Sequence, residues 1–221
     1  MSTRAYGIPA AVASALMIGF PGVVVSASAA ASAPAVAAAS ADEPTVEEMR
    51  DALLGPADMP GGYTGTDYTG TYSGVASACD ELYLGTVDNV VRTFTHTGRS
   101  LDLSEEIAAV GYDRSSEVVD AWAAIPDDCP DKQYSSGYWN TSRWPLPSLG
   151  DASVGLVSEV RNDDELLSRV TTAMIAYGDV VVHLKLDQNV TRDKTPFRRT
   201  DAEFRRIVRA AVAKIEESGI G

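Results

Sequence analysis

Two histidines, His96 and His183, and two cysteines, Cys79 and Cys129, are all the chain offers for imidazole or thiol chemistry. A serine nucleophile needs an activating base and a sharp elbow to expose it, and no G-x-S-x-G sequence is present. A glycine-rich phosphate loop and an H-E-x-x-H zinc motif are also missing. So few soft ligands cannot complete a tetrahedral zinc site without carboxylates, so no metal or cofactor is expected. His183 lies on the polar side of an alternating stretch and reads as a surface imidazole, and His96 beside Gly98 reads as a turn residue.

Carboxylates cluster at Asp127 and Asp128, at Asp163 to Glu165, and at Glu105 with Glu106. Neighbouring residues of a strand point to opposite faces, so Glu105 and Glu106 cannot line one site. The other two clusters fall in turns, where Asp bonds its own backbone. Aromatic residues are the stronger signal. Tyr63, Tyr68 and Tyr72 fall in one segment, and Tyr134, Tyr138, Trp139 and Trp144 in another, both outside the periodic, core-like stretches. Of these, Tyr63, Tyr68, Tyr72, Tyr138, Trp139 and Trp144 are the candidate ligand-binding residues, because exposed rings stack on sugars or partner surfaces. The same rings could instead pack their loops onto the domain.

The elements that would carry these groups begin after an export signal. Arg4 precedes an apolar run from Ile8 to Val25 and the small residues Ser26 to Ala30, the layout of a secretory signal peptide with cleavage after Ala29. Pro9, Pro21 and Gly22 interrupt the run, so no stable membrane span is expected once it is removed. No lipid-accepting cysteine and no second arginine beside Arg4 occur, which makes general secretion the expected route. The formal charge of −13 repels phosphate backbones and excludes nucleic acid as a partner of the whole protein. In an exported chain Cys79 and Cys129 are expected to pair, closing about 50 residues for roughly 4 kcal/mol.

Residues 30–44 are nearly all Ala, Ser, Pro and Val and read as a disordered leader, and residues 45–217 as a single domain. Thr45 and Glu48 have capping-box spacing at the start of a short helix. The Gly-, Thr- and Tyr-rich stretch from Gly61 to Gly74 reads as a long loop or edge strand. Val87 to Thr95 and Ser104 to Tyr112 read as paired strands, followed by a helix that starts at Asp113 or Ser115 and ends at Pro126. Three further strands are expected at Ala152 to Arg161, Leu166 to Tyr177 and Val180 to Asp187, the last with a clear solvent face. Phe204, Ile207, Val208, Ala211, Val212 and Ile215 recur at helical spacing, with Thr200 and Glu203 as an expected capping box. The class is therefore α+β, a central antiparallel sheet of about five to six strands with helices packed against it and one disulfide. Charge is uneven as well: Arg192 to Lys214 carries eight basic and three acidic residues. That end either docks on an anionic wall polymer or membrane surface, or forms the solvated face of the helix.

Four phrases carry a resemblance. They are Leu53-Leu54-Gly55-Pro56-Ala57-Asp58-Met59-Pro60-Gly61-Gly62-Tyr63, Trp122 through Asp127-Asp128-Cys129-Pro130, Leu149-Gly150-Asp151-Ala152-Ser153, and Ala176-Tyr177-Gly178-Asp179-Val180-Val181-Val182. In them the chain resembles exported actinobacterial proteins related to the extracellular sensor domain of PknH-type kinases, including the LpqN-like lipoproteins. The resemblance implies a secreted, extracellular, non-catalytic domain of the cell envelope that binds a small hydrophobic, lipidic or glycan ligand in a cleft. The chain departs from that group in lacking a kinase domain and a lipid-accepting cysteine. Two other readings stand beside it: a carboxylate-dependent hydrolase of wall material, with two acids facing each other in a pocket, and a protein-interaction module using the aromatic loops.

Overall fold

The computed structural model describes residues 43–69, 87–134, 137–162 and 164–221. The expected signal peptide and nearly all of the leader lie outside these residues, as do Tyr72, Cys79 and the side chains of Tyr68 and Tyr134. Residues Ala41–Gly221 form one compact unit.

Helix α1 (Val46–Ala52) starts where Thr45 and Glu48 bond reciprocally: Glu48 N–H donates to Thr45 Oγ1 at 3.3 Å and Thr45 N–H to Glu48 Oε2 at 2.8 Å. Strands β1 (Tyr63–Thr69), β2 (Asn89–His96) and β3 (Leu101–Ala109) follow, then helix α2 (Tyr112–Asp128). Strands β4 (Asp131–Tyr134), β5 (Gly137–Arg143), β6 (Ala152–Asn162), β7 (Glu165–Tyr177) and β8 (Val180–Asn189) come next, and helix α3 (Phe197–Ser218) ends the fold. The strands form one antiparallel sheet in the order β1-β2-β3-β8-β7-β6-β5-β4. Each half is thus a meander of sequential neighbours, and α2 is the crossover between them.

Eight strands replace the five to six expected. The difference lies at the sheet's two ends, in β1, left open between loop and edge strand (Tyr-Thr-Gly-Thr-Asp-Tyr-Thr), β4 (Asp-Lys-Gln-Tyr) and β5 (Gly-Tyr-Trp-Asn-Thr-Ser-Arg). Such strands have little to bury and so show no two-residue apolar period; an already formed neighbour templates them. The expected disulfide involves Cys79, which lies outside the described residues, while Cys129 is disulfide-bonded and no cysteine among the described residues is free.

Two cores flank the sheet. On one face α1 and α3 cover Phe94, Leu103, Ile107, Ile175, Leu184 and Leu186. On the other, Val118 and Val119 of α2 pack on Val154, Leu156, Met174 and Val181. This second layer corrects the reading of β8: Val180, Val182, Leu184 and Leu186 are buried as expected, but Val181 is also buried and His183 half-buried. A solvent face survives at Lys185. Helix α2 runs two residues past Pro126, since a proline in the last turn forfeits only one backbone bond.

Helix α3 buries all six periodic residues, but it starts three residues before Thr200 and has no side-chain cap. Thr200 and Glu203 are not a capping box: both are buried in the helix and turned towards Arg99. Gly150 closes the entry to β6 with φ of +57°, and a Cβ there would sit 2.2 Å from the Ala176 carbonyl oxygen. Gly150→Ala combines a left-handed backbone with a clash against backbone and is expected to destabilise by roughly 2–3 kcal/mol, read from urea denaturation. A loss below half a kcal/mol would mean that the turn relaxes freely.

Candidate functional site: an oriented imidazole beside Trp122

The sheet does not gather the candidate aromatic residues. Tyr63 on β1 and Tyr138 on β5 are six strand positions apart, roughly 29 Å at about 4.8 Å per strand. Tyr63 is buried, packs edge-on to His96 at 4.9 Å, and its hydroxyl donates to Glu203 Oε1 at 2.9 Å. Trp144 is also core, between Phe204 at 5.3 Å and the Arg205 guanidinium at 4.7 Å. Both have their faces occupied by the protein. On β5, Tyr138 is exposed and Trp139 half-buried, and successive strand residues project to opposite faces. The Tyr138 hydroxyl bonds Asp131 and holds that carboxyl below its usual range.

A different group assembles where β3 and β8 pass beneath α2. Glu106 and His183 are direct partners in the β3–β8 register, and Glu106 Oε2 stands 3.5 Å from His183 Nδ1. Asn89, at the start of β2, donates from Nδ2 to Glu106 Oε1 at 2.5 Å. Burial works to push the Glu106 carboxyl up, but bonds from His183 and Asn89, then the charge of His183, hold it below its ordinary value. It is therefore an ionised acceptor for Nδ1–H, and in the neutral imidazole that bond leaves Nε2 as the acceptor. The Trp122 ring lies 5.2 Å from the His183 ring, tilted by 51°. His183 Nε2 and Trp122 Nε1 are both buried and without a hydrogen-bond partner. Two neighbouring rings thus each carry a buried nitrogen with no hydrogen-bond partner, and Glu106 orients the imidazole.

The sequence concealed this group because its members come from four separate segments. The alternation of β8 placed His183 on a polar face, and only the second layer made that face a wall. Glu105, the neighbour of Glu106, lies on the opposite side of the sheet as expected, fully buried, with Oε2 accepting the Leu54 N–H at 2.7 Å. Burial pushes its carboxyl up to about 7, against the Leu54 bond and the charges of Lys214 and Arg92. That raised carboxyl is sealed in the core and has no access to a wall substrate. Among the described residues no three His, Cys, Asp or Glu side chains group as metal ligands. A shallow depression of about 260 Å³ lies between β8 and α3, lined by Val190, Asp193, Lys194, Thr195, Pro196 and Phe197.

No family model and no curated protein matches the sequence. The fold is an α+β sheet domain similar to the crystal structure of the extracellular domain of PknH from Mycobacterium tuberculosis. The TM-score is 0.50 at 10% identity, covering 81% of this chain and 98% of that one. At that identity the likeness is one of fold, and it supports a distant relation to that domain. The likeness to LpqN-like lipoproteins rests on the sequence phrases alone. No helix among the described residues is long and apolar enough to cross a membrane.

Proposed function

We propose that this chain is a non-catalytic, sensor-like domain that works outside the membrane, secreted by the general route, and binds an envelope glycan between α2 and the sheet. The observation that carries the ligand is the unspent pair, His183 Nε2 as acceptor and Trp122 Nε1–H as donor. Sugar hydroxyls both donate and accept, so a glycan supplies a donor for the imidazole and an acceptor for the indole. A hydrocarbon chain satisfies neither, which favours the glycan over a lipid. The fold likeness to an extracellular domain supports the location.

Isothermal titration of the purified chain with soluble oligosaccharides released from an actinobacterial cell wall tests this reading. Trp122→Phe keeps the ring and deletes the donor, and His183→Ala deletes the acceptor; each is expected to weaken binding roughly tenfold, about the value of one hydrogen bond in a dry site. If neither variant changes the affinity, the sugar binds elsewhere. If no oligosaccharide binds, the pair holds only a buried water and the glycan reading fails.

A further inference from the structure

Helix α3 and the loop before it present six exposed cations, Arg192, Lys194, Arg198, Arg199, Arg206 and Arg209, on a chain whose formal charge is −13. The acids of this stretch are spent inward: Asp201 bonds Arg169 at 2.7 Å, while Asp193 and Glu203 bond Arg99 at 3.2 and 2.9 Å. Arg198, Arg199, Arg206 and Arg209 have neither an ion pair nor a side-chain hydrogen bond. Arg198 and Arg199 also occupy the first turn of a long helix that has no acidic residue there, where the helix dipole opposes positive charge. Internal pairing does not explain these positions. An external anion does.

We infer that the outer side of α3 from Arg192 to Arg209 is a docking surface for an anionic phospholipid bilayer, distinct from the α2 site on the opposite face of the sheet. Charge complementarity carries the choice of partner, since five of the six cations are arginines, whose forked donors match phosphate. The surface is also convex: between Arg192 and Arg209 the other exposed residues are Pro196 and Ala202, with no exposed aromatic ring to hold a polymer strand in register. From Arg198 to Arg209 the row runs roughly 17 Å along the helix, a straight edge that lies tangent to a plane. The nearest acids set the limits of the contact. Glu216 and Glu217 stand roughly 10 Å or more beyond Arg209, about one screening length at physiological salt, and α1 adds the exposed acids Glu47, Glu48 and Asp51. The first half of α3 and its preceding loop therefore meet the lipid, while the acidic remainder faces away.

Co-sedimentation of the full chain with phosphatidylcholine vesicles, with and without phosphatidylglycerol, tests the surface. The readout is the difference between the two vesicles, to which charge-indifferent insertion of the N-terminal apolar run contributes nothing. The intact chain is expected to prefer the anionic vesicles and to lose that preference in high salt. Arg206→Glu with Arg209→Glu is expected to lower the preference at least about 25-fold, from roughly fivefold for each arginine near an anionic surface. Circular dichroism and the urea midpoint of the same variant should stay unchanged, because neither arginine holds another residue. Lys185→Glu, on the far side of the sheet, should leave the preference intact. Equal binding to both vesicles, or an undiminished preference in the double variant, overturns the proposal. Competition by soluble poly(glycerol phosphate) as tight as the vesicles also overturns it and makes a polymer the partner.

Discussion

Arg99→Ala is expected to lower the stability of the domain by about 3–5 kcal/mol, the cost of leaving buried charges without their partner. Arg99 sits in the turn between β2 and β3, and its guanidinium reaches Asp193 at 3.2 Å, Glu203 at 2.9 Å and Thr200 at 3.0 Å. The two carboxylates are 3% and 9% exposed, so water cannot replace the lost donor. Burial alone would push the Asp193 carboxyl up, yet bonds from Thr195 and Arg99 hold it below its ordinary value, which marks it as ionised. Glu203 also takes the Tyr63 hydroxyl, whose proton is retained because burial and the neighbouring carboxylate both push the phenol up. One side chain therefore ties β1, the β2–β3 turn, the loop after β8 and α3 into a single polar knot. For a domain of this size the melting temperature should fall by roughly 6–20 °C. Adding Glu203→Gln removes one stranded charge and should restore part of the loss. A melting curve within a degree or two of the parent would mean that the knot is solvated, not buried.

The second large effect concerns Glu105 and has the opposite sign. It lies in the core facing α1 and α3, opposite Arg92 in the β2–β3 register, with one oxygen on the Leu54 N–H and the other without a partner. Arg92 donates from Nη1 to the Leu54 carbonyl at 2.6 Å, and Lys214 is held by Asp58 at 3.1 Å, so both nearby cations have other duties. The folded carboxyl titrates near 7 against an ordinary value of 4.5, so folding favours its protonated form. Its contribution to stability is complete below the unfolded value and is lost as pH rises from about 4.5 to about 7. The interval corresponds to about 3 kcal/mol. Glu105→Gln keeps an acceptor for Leu54 and cannot ionise. It should match the parent near pH 4.5 and exceed it by about 1–3 kcal/mol above pH 7, read from urea denaturation across that range. Parallel curves for the two proteins would mean that the folded carboxyl titrates at its ordinary value.

Neither effect can be found by scanning for motifs, and the reason separates what is local in this chain from what is not. Helix α3, the α1 cap and the β6–β7–β8 run are legible because their signals, a helical stripe, a reciprocal cap and strand-forming runs bounded by turn residues, depend only on neighbours in sequence. Edge strand β1 was legible only as a loop or an edge strand, and β4 and β5 not as strands at all, since strands near a solvated edge need no apolar pattern. Thr200 and Glu203 have the spacing of a cap, yet the backbone N–H groups they would have capped were already inside a helix begun at Phe197. Spacing alone could not reveal that Arg99, about a hundred residues earlier, would claim both side chains.

The functional reading divides along the same line. Residue types by themselves determined that the chain carries no familiar nucleophile motif, that its formal charge is −13, and that its last helix is amphipathic and basic. Tertiary structure decided which groups meet. The register of β3 with β8 set Glu106 against His183, and the crossover helix brought Trp122 over both. It also buried Tyr63 and Trp144, which composition alone would have left to a ligand. A pleated strand fixes only which residues share a face. Whether that face meets water, a helix or a ligand depends on elements distant in sequence, because burial is a property of packed layers and not of the strand that contributes the side chain.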